Sequence, residues 1–500
     1  MSLPSKSSAW LRPRDASLGF LIYITIATLC LFIGTSSAAA ASDRTGNWTS
    51  LTCSDPAVQD ALYMGCAQRW SELDADDAWK DVIRVWTQHD EGKTTFSVSV
   101  MNTLHAPNET DCGLIAPEGN CDQTQTCGYI LSSNGTGATG PAAYLIYESL
   151  VAINEMYYNL YNAIQDAAQD IVLFSILPME QAFAPVPPKP AAEWLPILRN
   201  MLDLGVRAIS ASFFNALFGS SQALGNRVDA DTARNITYAS LALTTASVSA
   251  TIDGSSKKQW TPKSQTTFSS TVGQVFSGWA TIVENQLYTL FDGSEASVKL
   301  LGSMMANGHL LDCNGTSPVD AYDFTNDLEK FIQKAFYAFA IPALWTVSGT
   351  NAFVVDSGYP CGTVNPLTNY MTEDTQEATY SCHNNSLYYL VYPGGGSHGQ
   401  FAAPPGLDGL AKGYWGNLSL SDLIAGSVNT YVANGNTNGG APANQQNQQT
   451  LQDLASQDVT TPGFITLPVC SAQVAFASWS SPSRSNSSAP GYPCNPLQGS

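Results

Sequence analysis

From Ala142 to Val347 the apolar residues return every third or fourth position, and this spacing constrains the fold more than any other feature of the chain. Tyr144, Leu145, Ser149, Ala152, Met156, Leu160, Ala163 and Ile164 carry the rhythm through about Phe174. Val272, Val275, Phe276, Trp279, Ile282, Val283, Leu287 and Leu290 form the clearest later stripe. Similar patterns cover about 229–252, 264–291, 294–311 and 320–347. A strand would alternate at every second residue, so these segments are predicted helices. Each has one apolar face to bury, and helices of that kind bury it against one another. The predicted fold class is therefore mainly α, with a long-helix, bundle-like body over 42–350.

Shorter signals fill in the rest. Asp55 followed by Pro56 reads as an N-cap and first helical position, and Trp79, Val82, Ile83 and Trp86 predict a helix over about 76–88. Residues 106–141 read as a loop, and Pro185 to Pro190 as a stiff connector. From Glu193 to Phe218 a further apolar helix is expected. Arg199, Asp203 and Arg207 recur there every four residues, which predicts one wet face. After residue 350 the texture changes. Ala352–Val355 and Leu387–Tyr392 read as short β-strands bounded by Gly, Pro and Cys, within a smaller, irregular, disulfide-containing C-terminal part over 351–500. Residues 434–449 are predicted to be a flexible insertion, and a short helix is expected to end at Trp479.

The first 41 residues read as a signal peptide. Lys6, Arg12 and Arg14 precede an apolar run from Leu18 to Gly34, followed by Ser36-Ser37-Ala38-Ala39-Ala40-Ala41. The alternative is an uncleaved signal anchor over 18–34, which would make a single-pass membrane protein. Of 11 cysteines, only Cys30 lies in this leader, leaving an even number for an oxidising exterior. Local pairing of nearest neighbours predicts Cys361–Cys382 and Cys470–Cys494, with Cys66–Cys313 as a long-range staple. Sequons at Asn47, Asn108, Asn134, Asn235, Asn314, Asn384, Asn417 and Asn486 are candidate glycosylation sites. They offer a source of polarity for a chain in which only 12% of residues are charged. The formal charge of −20 argues against nucleic acid as a partner.

Chemical motifs are sparse. Gly395-Gly396-Ser397-His398-Gly399 matches the G-x-S-x-G of a nucleophile elbow, but Pro404-Pro405 comes too soon for the helix that motif needs. Gly135-Thr136-Gly137-Ala138-Thr139-Gly140 matches G-x-G-x-x-G without the βαβ unit of a dinucleotide site. Five scattered histidines (His89, His105, His309, His383 and His398) and the lack of any metal-ligand spacing predict no metal and no cofactor. Glu148 with Glu155, and Asp166 with Asp170, are spaced to share a helical face, as paired carboxylates for acid–base work would. Glu148 and Glu155 are the catalytic candidates.

Several stretches resemble a known group. Cys53-Ser54-Asp55-Pro56-Ala57-Val58, Arg69-Trp70 with Asp77-Ala78-Trp79, and Ile153-Asn154-Glu155 are similar to the long C-terminal region of fungal killer-toxin-like chitinases. So are Asp356-Ser357-Gly358-Tyr359-Pro360-Cys361, Asn365-Pro366-Leu367, Leu387-Tyr388-Tyr389-Leu390, Leu467-Pro468-Val469-Cys470 and Tyr492-Pro493-Cys494. In that group the region lies downstream of a glycoside hydrolase family 18 domain with a D-x-x-D-x-D-x-E motif. These 500 residues contain no such motif. The resemblance implies a stand-alone accessory region with no catalytic residue to carry over. The expectation is a secreted fungal glycoprotein, non-enzymatic, with cell-wall polysaccharide or a surface protein as partner and a membrane only if the leader is uncleaved. The alternative is a helical carbohydrate-active hydrolase using the paired carboxylates.

Overall fold

The structure is a computed structural model that describes residues 51–59, 64–107, 109–116, 118–122, 125–132, 140–185, 201–214, 217, 229–256, 268–312, 322–394, 399–438, 459–480 and 491–495. Residues 1–41, read above as a signal peptide, with the 18–34 run, and most of the Pro-rich connector lie outside them. Among the described residues no helix is long and apolar enough to cross a membrane.

The fold is mainly α. Short helices α1 (Pro56–Gln59), α2 (Cys66–Glu72), α3 (Ala75–Val85), α4 (Phe96–Leu104) and α5 (Cys127–Ser132) lead into the long α6 (Gly140–Asp170). Then come α7 (Ile176–Phe183), α8 (Val206–Phe214), α9 (Ala230–Ser256), α10 (Phe268–Leu290), α11 (Glu295–Met305) and α12 (Tyr322–Val347). α6 is predicted by its own pattern. Ile146, Leu150, Ile153, Tyr157, Leu160, Ile164, Ala167 and Ile171 alternate four- and three-residue steps, and all are buried. Helix contacts run α6 to α10, α10 to α9, α9 to α8, α8 to α12 and α12 back to α6. Five helices thus close a ring around Tyr157, Phe213, Phe214, Phe276, Trp279 and Phe336, which pack mostly edge-to-face.

The helix expected over 193–218 is described only from residue 201, where a π-turn (Met201–Gly205) precedes α8. Its predicted wet face is corrected by the burial of one of the three charges. Arg207 is only 2% exposed, and its guanidinium holds the Asp203 carboxylate at 2.6 Å. A charge with a partner one turn away can enter the core, because the pair replaces the water each would lose.

Glycines let that π-turn lie flat on α10. A Cβ at Gly205 would come within 2.3 Å of the Trp279 ring, which is fixed by its Nε1 donating to the Met201 carbonyl at 2.9 Å. A Cβ at Gly278 would come within 2.2 Å of Leu202 Cδ2, the free end of a rotatable side chain. Gly205→Ala is expected to cost about 2–3 kcal/mol. For Gly278→Ala, the gain in helix propensity of about 1 kcal/mol nearly offsets the crowding. Thermal melts of the two variants check this, and equal losses would count against it.

The C-terminal part contains β1 (Phe353–Pro360), α13 (Glu373–Thr379), β2 (Tyr380–His383), β3 (Ser386–Pro393), β4 (Phe401–Ala402), α14 (Leu407–Ala411), α15 (Leu420–Ala433), β5 (Val469–Ser471) and α16 (Ala472–Trp479). The strand order is β2-β3-β1-β5, antiparallel except for β1 with β5, and β4 pairs with β3. Asn384 and Asn385 both take positive φ (47° and 63°) and join β2 to β3 in a two-residue hairpin turn. One sheet face (Phe353, Val355, Tyr389 and Val391) forms a small core with α16 and Phe401. The other (Val354, Tyr388, Leu390 and Val469) belongs to the main helical core. The flexible insertion expected over 434–449 needs correcting at its start. Asn438 donates to and accepts from the Val469 backbone, at 2.9 and 2.8 Å, which ties residues up to 438 to β5. Residues 439–449 lie outside the described set.

Cys361–Cys382 and Cys470–Cys494 are bonded, as are Cys112–Cys121 and Cys53–Cys127. The last, between residues 74 apart in sequence, departs from nearest-neighbour pairing. The packing of α3, α4 and α5 against α6 brings the two cysteines together across that distance. Cys66 is disulfide-bonded, and Cys313 lies outside the described residues.

Candidate functional site

The most perturbed carboxyl described is Glu148, in the third turn of α6. The loop between α4 and α5 folds back over this part of the helix, closed by Cys112–Cys121 and anchored by Cys53–Cys127. Asn154, fully buried two turns further on, donates to the carbonyls of Cys112 (3.0 Å) and Leu114 (2.7 Å), and so fastens the loop to the helix. Under this cover Glu148 Oε1 is buried with no hydrogen-bond partner. Burial disfavours the charged form and pushes its pKa up to about 7, while the Gln125 backbone N–H pulls the other way. Tyr144 and Tyr147 flank it on α6, and both phenols are raised, first by burial and then by the charge of Glu148. Asp122, in the covering loop, bears on Tyr147, and sequence spacing gave no hint of it.

Such a carboxyl can give up a proton near neutral pH, which is half of what acid–base hydrolysis needs. The other half is a second carboxylate about 5–9.5 Å away. Glu155, the partner expected from sequence, sits in a different environment. Seven residues of helix rise about 10.5 Å, and Glu155 is exposed to solvent where Glu148 is covered. The second pair is exposed, too. Asp166 and Asp170 meet Glu329 of α12, whose pKa is raised by burial and then by Asp170, with which it shares a hydrogen bond.

A cavity of about 150 Å³ lies between α12 and residues 463–468, lined by Ala338, Phe339, Pro342 and Thr346 against Phe464 and Leu467. No carboxylate, histidine or cysteine lines it.

No protein-family model matches the chain, and no solved structure does. Two proteins of Penicillium expansum are similar to it. One, named probable chitinase LysM18, is 49% identical over 488 residues, which cover 91% of this chain and 34% of that protein. The other, named secreted chitinase LysM12, is 32% identical over 508 residues, covering 92% and 33%. This chain is a relative of fungal proteins named chitinases. It spans about one third of the length of the curated relatives it matches.

Elsewhere in this chitinase-related chain the short motifs stay isolated. The residues at 133–139 and 395–398, including Ser397 and His398, lie outside the described set. Strand β4 comes soon after Gly399, and helix α5 is the element before Gly140. A nucleophile elbow needs a helix in the first place, and a dinucleotide loop needs a strand in the second. Among the described residues no three His, Cys, Asp or Glu side chains gather to hold a metal. His89 is exposed on a π-turn (Trp86–Asp90), His105 caps α4 in the left-handed conformation, and His309 is buried. His383 Nε2 lies 2.9 Å from Asn429 Oδ1. Of the sequons, Asn235, Asn384 and Asn417 are described and all three are exposed, while Asn47, Asn108, Asn134, Asn314 and Asn486 lie outside.

Proposed function

We propose that this chain is a secreted glycoprotein that binds at the fungal cell surface or wall and does not itself hydrolyse its target. The observation that carries the reading is the separation of Glu148 from Glu155. The acid held near neutrality is covered, while the partner expected from sequence stands in solvent about two turns further along α6. Relationship to proteins named chitinases, one of them named as secreted, favours a wall polysaccharide as the surface bound. The exposed Asn235, Asn384 and Asn417 and the disulfides suit an oxidising, glycosylating route to the exterior. A second reading, hydrolysis with Glu148 as proton donor, is favoured only by the raised pKa of that group.

Sedimentation with insoluble chitin and with isolated fungal walls tests the proposal, alongside assay of released reducing ends. The expected result is retention on at least one polymer without release of sugar. Failure to bind any of them would reject surface binding. Release that disappears in Glu148→Gln would replace the non-enzymatic reading with the hydrolytic one.

A further inference from the structure

Consecutive large apolar side chains are uncommon on an aqueous surface and mark places where something docks. One such tip has a structural cause here. At the end of α6 the π-turn Ile171–Ser175 widens the helix by one residue, after Ile171 has completed the buried stripe. The next side chains consequently turn outward. Val172 is 40% exposed, Leu173 63% and Phe174 70%, and Leu177 in the first turn of α7 is 62% exposed. Ser175, half-buried, is held beneath them by a hydrogen bond with Tyr337 of α12.

Carboxylates surround this tip. Asp166 and Asp170 precede it at four-residue steps along α6 and are exposed. Glu329 reaches across from α12 to share a hydrogen bond with Asp170 and also feels the charge of Asp166. Glu180 lies three residues beyond Leu177 on α7.

We propose that the Val172–Leu177 tip docks a polypeptide segment that presents an apolar anchor flanked by lysine or arginine. Charge complementarity selects that occupant. Four carboxylates around an apolar centre attract flanking cations, which set orientation and speed encounter, while burial of Leu173, Phe174 and Leu177 supplies the attraction at close range. A second copy of the chain would bring the same carboxylates and a net charge of −20 to the contact. An anionic bilayer surface would be repelled by the same collar. The proposal does not rest on the wall-binding reading.

A synthetic helical peptide of leucine and lysine is the probe, with its glutamate-for-lysine counterpart and phosphatidylcholine vesicles as comparisons. The whole chain is expected to bind the leucine–lysine peptide and not the glutamate version. Affinity should fall tenfold or more in Leu173→Ser/Phe174→Ser, whose melting temperature should stay unchanged because both side chains lie largely in water. Rising salt should weaken binding, and less steeply in Asp170→Asn. Equal affinity of the unaltered chain and the Leu173→Ser/Phe174→Ser variant would overturn the proposal. Capture by vesicles that depends on Phe174, with no peptide binding, would overturn it in favour of a lipid surface.

Discussion

Between pH 4.5 and 7 the folded chain is expected to lose stability as the pH rises, and Glu148→Gln is expected to remove the largest single part of that loss. Below the ordinary carboxyl value of 4.5 both folded and unfolded states hold the Glu148 proton. Between 4.5 and about 7 the unfolded chain has released it while the covered native carboxyl keeps it. The native state then binds more protons, so raising the pH favours unfolding, and above about 7 the full penalty applies. Each pH unit of displacement corresponds to about 1.4 kcal/mol, and the partial exposure of Glu148 brings the total down to roughly 1–2 kcal/mol. Glutamine keeps the shape and never ionises. The variant should match the parent at pH 4 and exceed it by that amount at pH 8 in urea denaturation. Glu180, Glu284 and Glu329 are also raised, each first by burial, so a smaller slope of the same sign should remain. An unchanged slope in Glu148→Gln would mean that the loop does not desolvate this carboxyl.

How much of this was legible beforehand differs between fold and site. The helices α6 and α8 to α12 were readable because apolar residues recur along them at three- and four-residue steps. α6 is the extreme case, with seven buried positions in four–three alternation from Ile146 to Ala167 and the next, Ile171, opening the π-turn. Strands β1 and β3 were readable because apolar runs ended in Gly, Pro and Cys. The π-turns escaped, since one extra residue per turn shifts a stripe without changing its composition. That shift is why apolar residues near Phe174, continuous with a core helix in sequence, stand in solvent. Arg207 was misplaced for a different reason. Charges four residues apart on a helix are usually solvated, and only the surroundings decide whether the pair is taken inside.

The site was less legible because its chemistry comes from a loop with no periodicity. Spacing singled out Glu148 and Glu155 as equals. Their environments differ through the disulfides and Asn154, which bring the segment around Cys112–Cys121 and Gln125 down over one and leave the other exposed. The clue available was Asn154 itself, an amide within an apolar stripe and next to Ile153, where an uncompensated polar group would be costly. Such a residue announces backbone arriving from elsewhere, though not which backbone. Asp122 arrives with that loop and could not be paired with Tyr147 from sequence.

Removing the Cys53–Cys127 bridge is expected to be the most damaging single change, and it should alter the titration of Glu148 as well. The bridge closes a segment of 74 residues that includes α1 to α4 and the covering loop. In the chain-entropy account, a loop of that length contributes about 4 kcal/mol by restricting the unfolded state. That is a large part of the roughly 5–15 kcal/mol that holds a typical domain together. Cys53→Ala/Cys127→Ala should therefore lower the denaturation midpoint strongly. The second consequence is local. With the start of α5 released, Gln125 and its neighbours lose one of the ties that hold them over α6, while Cys112–Cys121 and Asn154 remain, and water gains access to Glu148. Its pKa should then fall from about 7 toward 4.5, measured by carboxyl chemical shift against pH in the folded variant. A general loss of stability would leave that titration where it was. Destabilisation without a fall in the Glu148 pKa would show that the loop stays closed without the Cys53–Cys127 bridge.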